Sequence, residues 1–264
     1  MFGKNHPAPN FLEDLEKAAS SIDQPDTAIR SAGIWQGGKG TNEAKHRQDD
    51  LLHRIAIKYK PTKRYHNYIK RYSFHFAPMR ESVRRFVEIG VQTPSSLLMW
   101  EEYFPNAEII GIDIDEKCRE FSGGRKRVLI GDQKDPEFIS RLVKDTGGEF
   151  DIIIDDGEHS EVAILTSLQL LLPHVASHGI YAVEDLVDTP NVATCLHAIE
   201  RAINYWPGGF EGKNWPYLWA FDKDASWLAR NVTGVHFYRY LCLIQRGFNP
   251  EDNPYLHMEA PPAA

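Results

Sequence analysis

Long apolar runs and a glycine-rich phosphate fingerprint are what this 264-residue sequence lacks, and it has only three cysteines. No apolar stretch approaches the ~20 residues that a membrane-spanning helix needs, so none is expected. The opening residues, MFGKNHPAPNFLEDLEK, contain no uninterrupted apolar core of the signal-peptide kind, and a cytoplasmic location is the expectation. Cys118, Cys195 and Cys242 are odd in number and far apart, which fits reduced core thiols and neither a disulfide frame nor a zinc site. No internal repeat or low-complexity tract is present. A net charge of −7 argues against a general nucleic-acid binder. Acids are missing altogether from residues 51–80, which carry eight bases, so that segment is +8 and the rest of the chain −15.

What remains is ordinary globular material, 42% hydrophobic and 25% charged, enough for one sizeable domain. Residues 1–44 are polar, rich in Gly, Ser, Asn and Pro, and read as a partly ordered extension. Residues 45–80 form a basic helical segment. A first helix runs from Lys45 to about Tyr59 and is stopped by Pro61; a second covers about 64–76. From 81 to 246 short apolar runs alternate with helical patterns, the signal for a parallel sheet covered on both faces. Strands are expected at Phe86–Val91, Glu108–Ile112, Val128–Ile130, Phe150–Asp155 and Ile180–Val183. Helices are expected near Ser95–Tyr103, Pro136–Lys144, Ser160–Leu172 and Asn191–Tyr205. Val232–Tyr238 and Leu241–Gln245 are too close together for a parallel crossover and must form a hairpin. The fold class is therefore α/β, a doubly wound, mostly parallel seven-stranded sheet of the class I methyltransferase, Rossmann-like kind, with an N-terminal helical extension. Residues 206–230, dense in Trp, Tyr and Phe, form an aromatic insertion, either a substrate lid or a cap on the core. A tail, 247–264, follows.

Ligands of such sheets bind outside the carboxyl ends of the strands, so the ends carry the information. Strand one ends in Glu88-Ile89-Gly90-Val91, where glycine admits a close approach to the backbone. Strand two ends at Asp113, 23 residues after Gly90, near the spacing at which an acid meets a ribose. Strand three ends in Gly131-Asp132-Gln133, with an acid placed to accept from an adenine amino group. Gln92-Thr93-Pro94 interrupts any Gly-x-Gly-x-x-Gly pattern, which counts against a dinucleotide dehydrogenase. These ends favour an adenosyl cofactor, S-adenosyl-L-methionine, held by Glu88, Gly90, Asp113, Asp132 and Gln133.

Strand four ends in Asp155-Asp156-Gly157-Glu158-His159 and strand five in Glu184-Asp185. Neighbouring strands lie about 4.8 Å apart, so carboxylates from both can converge on one ion. Oxygen ligands suit a hard cation such as Mg²⁺. Such an ion lowers the pKa of an alcohol bound to it, and His159 is placed to take the proton as catalytic base. Alternation along the strand leaves Asp156 at the open edge and Asp155 in the sheet. Asp-Gly is also a common turn, and Glu184-Asp185 could simply cap a helix.

In order along the chain, Tyr59…Lys63…His66…Tyr68…Tyr72…Phe76-Ala77-Pro78…Arg80, Val87-Glu88-Ile89-Gly90-Val91, Gly111-Ile112-Asp113, Gly131-Asp132-Gln133, Asp155-Asp156-Gly157-Glu158-His159, Glu184-Asp185 and Val235-His236-Phe237-Tyr238 resemble the magnesium-dependent sugar O-methyltransferases of macrolide antibiotic biosynthesis. The resemblance implies that Asp156, Glu184 and Asp185 bind metal, that His159 is the general base, and that the acceptor is a sugar hydroxyl of a glycoside, polysaccharide or glycosylated natural product. The sequence departs from the family at Gln92-Thr93-Pro94-Ser95 and at Thr62, where an acid is expected. Two other readings stay open: an O-methyltransferase of non-sugar small molecules, and, from the +8 segment with its interleaved tyrosines, a polyanion or RNA binder. A more ordinary use of that segment is to cover the cofactor carboxylate or to contact a second subunit in a homo-oligomer.

Overall fold

The computed structural model describes residues 50–187, 189–203 and 227–248. The expected extension 1–44, the last two residues of the helix expected to end at Tyr205, residues 206–226 of the aromatic insertion and nearly all of the tail lie outside them. So does the first part of the first helix.

Asp50 caps helix α1 (Leu51–Tyr59), accepting from the Leu52 amide at 2.9 Å. A 3₁₀ turn at Thr62–Arg64 follows Pro61, and α2 (Tyr68–Phe76) starts later than the sequence pattern suggests because Asn67 adopts a left-handed φ of 62°. Then come β1 (Arg85–Ile89), α3 (Ser95–Tyr103), β2 (Glu108–Asp113), β3 (Lys126–Ile130), α4 (Pro136–Thr146), β4 (Phe150–Asp155), α5 (Glu161–Leu171) and β5 (Val175–Val183). Helices α6 (Pro190–Ile203) and α7 (Trp227–Asn231) precede the hairpin β6 (Val232–Tyr238) and β7 (Leu241–Arg246). The seven strands run in the order β3-β2-β1-β4-β5-β7-β6. The first five are parallel, and β7 pairs antiparallel to both β5 and β6. This is the class I methyltransferase topology, as the sequence implied.

Alternation distributes the strand residues between two cores. Phe86, Ile109, Ile152, Ile154, Ile180 and Ala182 pack with Leu52, Ile55, Tyr72, Phe76 and Trp100 under α1, α2 and α3. Val87, Ile110, Ile153, Tyr181 and Val183 pack with Ile139, Leu168 and Leu196 under α4, α5 and α6. All three cysteines are free and buried, as core thiols. None of the described helices is long and apolar enough to cross a membrane.

Candidate active site

The same alternation separates the two aspartates at the end of β4. Asp155 shares the α5 face with Ile153, where it is 1% exposed and accepts from Gln133 Nε2 at 3.1 Å, Tyr181 at 3.2 Å and the Ser167 hydroxyl. Burial pushes its carboxyl up to about 6, against those three donors. Asp156 turns the other way, to the open edge. The turn that carries it is packed against the end of β1: Asp156 N donates to Ile89 O at 3.0 Å. Gly90 has a φ of 86°, and a Cβ there would lie 2.0 Å from the Asp156 carbonyl oxygen. Glycine is thus required by the neighbouring turn itself, a different reason from the ligand approach read from the sequence.

The basic segment enters from above. Lys63, only 2% exposed, places Nζ 2.5 Å from Asp156 Oδ2, 2.8 Å from Glu184 Oε1 and 3.0 Å from Glu88 Oε1. Tyr72 donates to Glu184 Oε1 at 2.5 Å, and Tyr68 donates to Asp185 Oδ1 at 2.7 Å. Burial alone would lower the Lys63 ammonium; Glu184, Asp156 and Glu88 outweigh it and hold it well above the usual lysine range. Burial also pushes Glu184 up to about 8 despite the opposing Lys63 charge, and raises Glu88. The cluster keeps its ammonium charged, while burial works against ionisation of Glu184 and Glu88.

The backbone leaves strand geometry after Val183, and Asp185 has a φ of 52°. This parts the two adjacent acids, sending Glu184 toward Lys63 and Asp185 toward the turn after β4. His159, also left-handed at φ 60°, puts Nε2 3.8 Å from Asp156 Oδ1 and 3.8 Å from Asp185 Oδ2. One ligand atom from each of Asp156, His159 and Asp185 lies within 4.8 Å of the others. The two carboxylates, with no thiolate among them, suit a hard divalent cation, and the imidazole stands beside them.

From this trio a cleft of about 580 Å³ runs past Gly157, Gly131 and Gly90 to Asp113. Asp113 accepts from the amides of Val91, Gln92 and Asp115 at 2.8–2.9 Å, and so orders the loop after β1. Burial would raise its carboxyl, but these amides hold it below the usual range. Asp132 lines the cleft, its Oδ1 accepting from Lys134 N at 2.8 Å. Gln133 also lines it, yet both ends of its amide are engaged: Nε2 on Asp155 and Oε1 on the Glu158 amide at 2.9 Å. Gln133 braces the turn after β4. Glu88, expected at the cofactor, is 0% exposed and sits behind the cleft wall, bonded to Ser96 at 2.7 Å and to Lys63. Parity explains the difference, because Glu88 shares a sheet face with Phe86 and so points under the helices.

Lys63, Tyr68 and Tyr72 received no role from the sequence. For the segment as a whole there was a signal, a basic run interrupted by tyrosines beside an acidic remainder, but nothing in it singled out these three residues.

No protein-family model matches the chain. Over 215 residues it is 30% identical to the mycinamicin VI 2''-O-methyltransferase of Micromonospora griseorubida, covering 70% of this chain and 49% of that one. Over 198 residues it is 33% identical to the 8-demethyl-8-alpha-L-rhamnosyl tetracenomycin-C 2'-O-methyltransferase of Streptomyces olivaceus, covering 71% and 46% respectively. The solved structure of the MycE methyltransferase of the mycinamycin pathway, in complex with Mg, SAH and mycinamycin VI, superposes with a TM-score of 0.63. That match is 26% identical and covers 85% of this chain and 67% of the other. The chain spans about half the length of the curated relatives it matches.

Proposed function

We propose, from this chain's kinship with the sugar O-methyltransferases of glycosylated antibiotics, that it transfers a methyl group from S-adenosyl-L-methionine to a sugar hydroxyl in a magnesium-dependent reaction. The observation that carries the reading is the Asp156, His159 and Asp185 trio at one end of a cleft whose other end is Asp113. Asp156 and Asp185 would hold the ion, with Glu184 alongside, and the oxygen-rich donor set fits it. A bound Mg²⁺ lowers the pKa of an alcohol oxygen. His159 Nε2, at the same edge, accepts the hydroxyl proton. Asp113 and Asp132 face the adenosyl end, and the loop after β1 that Asp113 orders closes one side of it. Methyl transfer is then a matter of alignment along the cleft.

The acceptor is a sugar-bearing small molecule, and the enzyme acts in the cytoplasm. Purified protein with labelled cofactor is expected to methylate glycosides, to lose turnover in excess EDTA and to regain it with Mg²⁺. Full activity in EDTA removes the metal from the mechanism. Transfer to catechols and not to glycosides replaces the sugar with a non-sugar acceptor.

A further inference from the structure

The arrangement around the two cleft aspartates suggests what sets their geometry, an inference that rests on the metal-dependent reading above. Asp156 and Asp185 are treated alike. Lys63 Nζ takes Asp156 Oδ2 at 2.5 Å, and the Tyr68 hydroxyl donates to Asp185 Oδ1 at 2.7 Å. The remaining oxygen of each, Asp156 Oδ1 and Asp185 Oδ2, lies 3.8 Å from His159 Nε2. One oxygen of each carboxylate is fixed from behind, and the other is presented to the same spot. We propose that Lys63 and Tyr68 are positioning residues that orient Asp156 and Asp185 for a divalent cation.

Both anchors are themselves rigid. Lys63 is held by Glu184 at 2.8 Å and Glu88 at 3.0 Å, and is 2% exposed. The hydroxyl of Tyr68, a residue 1% exposed, also lies 3.0 Å from the Tyr240 carbonyl oxygen and accepts from the Asp185 amide at 3.3 Å. Asp156 and Asp185 stand just beyond the strands and are partly exposed. Without anchors such side chains would give up their rotamer freedom only on binding the cation. Outer partners of this kind are worth about 10–100-fold in metal affinity.

Lys63 has an opposing effect. Its charge repels a cation, so deleting it alone mixes lost positioning with relieved repulsion. Two variants separate these. Tyr68→Phe removes one hydroxyl and no charge. Lys63→Met combined with Glu88→Gln removes one positive and one negative charge from the cluster, leaving its net charge as it was.

The test is Mn²⁺ binding to the full chain with S-adenosylhomocysteine bound, followed by electron paramagnetic resonance, with calorimetric S-adenosylhomocysteine affinity as the control for an intact cleft. Tyr68→Phe is expected to weaken Mn²⁺ binding about 10-fold with unchanged S-adenosylhomocysteine affinity, and the double variant at least as much. Mn²⁺ affinity within about twofold of wild type in Tyr68→Phe overturns the proposal while leaving the metal reading intact. That variant decides the question if the double variant does not fold. A wild-type chain that binds no Mn²⁺ overturns the metal reading, and this inference falls with it.

Discussion

Replacing Gly90 with alanine tests whether the turns after β1 and β4 are one packed unit. Two costs add. The first is conformational: at a φ of 86° an L side chain costs about 1 kcal/mol. The second is collision, because the new Cβ would stand 2.0 Å from Asp156 O, 2.6 Å from its carbonyl carbon and 2.9 Å from Gly157 Cα. All three are backbone atoms, so no side chain can swing away, and overpacking of this kind costs roughly 1–3 kcal/mol. Gly147 supplies the internal control. Its φ of 80° is nearly the same, but the nearest atom to a Cβ there is an Arg85 side-chain nitrogen at 3.8 Å. Gly147→Ala should therefore show the conformational cost alone. With a urea dependence of about 2–3 kcal/mol per molar, Gly90→Ala is expected to lower the denaturation midpoint by roughly 1 M and Gly147→Ala by less than half as much. Gly90→Ala should also weaken divalent-cation binding, because the displaced carbonyl belongs to Asp156. Equal midpoint shifts for the two variants would refute the collision and with it the packing of the two turns.

His159→Ala is expected to fold and bind S-adenosylhomocysteine but to lose about 10²–10⁴ in turnover; an unchanged rate returns His159 to a structural part. Asp156→Asn should raise the Mg²⁺ requirement, whereas Asp155→Ala, which strands buried donors at about 1–3 kcal/mol each, should act on stability. The reverse pattern in Mg²⁺ titrations would exchange the two assignments. Burial, then His236 and Arg71, depress His75 to about 4. The unfolded chain then binds more protons than the folded one between pH 6.5 and 4, so His75 stabilises the fold fully above 6.5 and loses that contribution as pH falls through the window. His75→Gln should flatten the decline of the melting temperature across those pH values; an identical decline would exclude the histidine.

The sheet was legible because its strands are buried on both faces. Runs such as the three isoleucines at 152–154 mark the strands, and the hairpin followed from the short separation of its two strands. The strand missed in part was β5, which begins at Val175 and not at Ile180. Ser177 and His178 are exposed there and break the apolar signal. Strand β3 likewise starts early, at Lys126, because it is an edge strand and half in solvent. In the site, Asp155 and Asp156 were separable by parity alone. Glu88 obeyed the same parity, but its position at a strand end outweighed it in the reading. Lys63 was hidden for a different reason: a lysine in a basic run normally belongs to a solvated face, and only the fold shows three carboxylates around it.

The contacts that join the helical segment to the cleft reach far along the chain. Lys63 meets Asp156 across 93 residues, Glu184 across 121, and Tyr68 meets Tyr240 across 172. During synthesis, at about 5–20 residues per second, Tyr68 waits on the order of ten to thirty seconds before the hairpin against which its hydroxyl packs exists. Until Glu184 is made, Tyr72 and the Lys63 ammonium, both destined for the interior, lack their full set of partners, and Tyr68 lacks its own until Tyr240 follows. The sheet can begin to pair locally while the cleft cannot, because its corner is built from both ends of the described chain. Docking of this segment is consequently a late step, and a nascent chain that stops short of Glu184 is left with a basic arm that lacks its acidic partners.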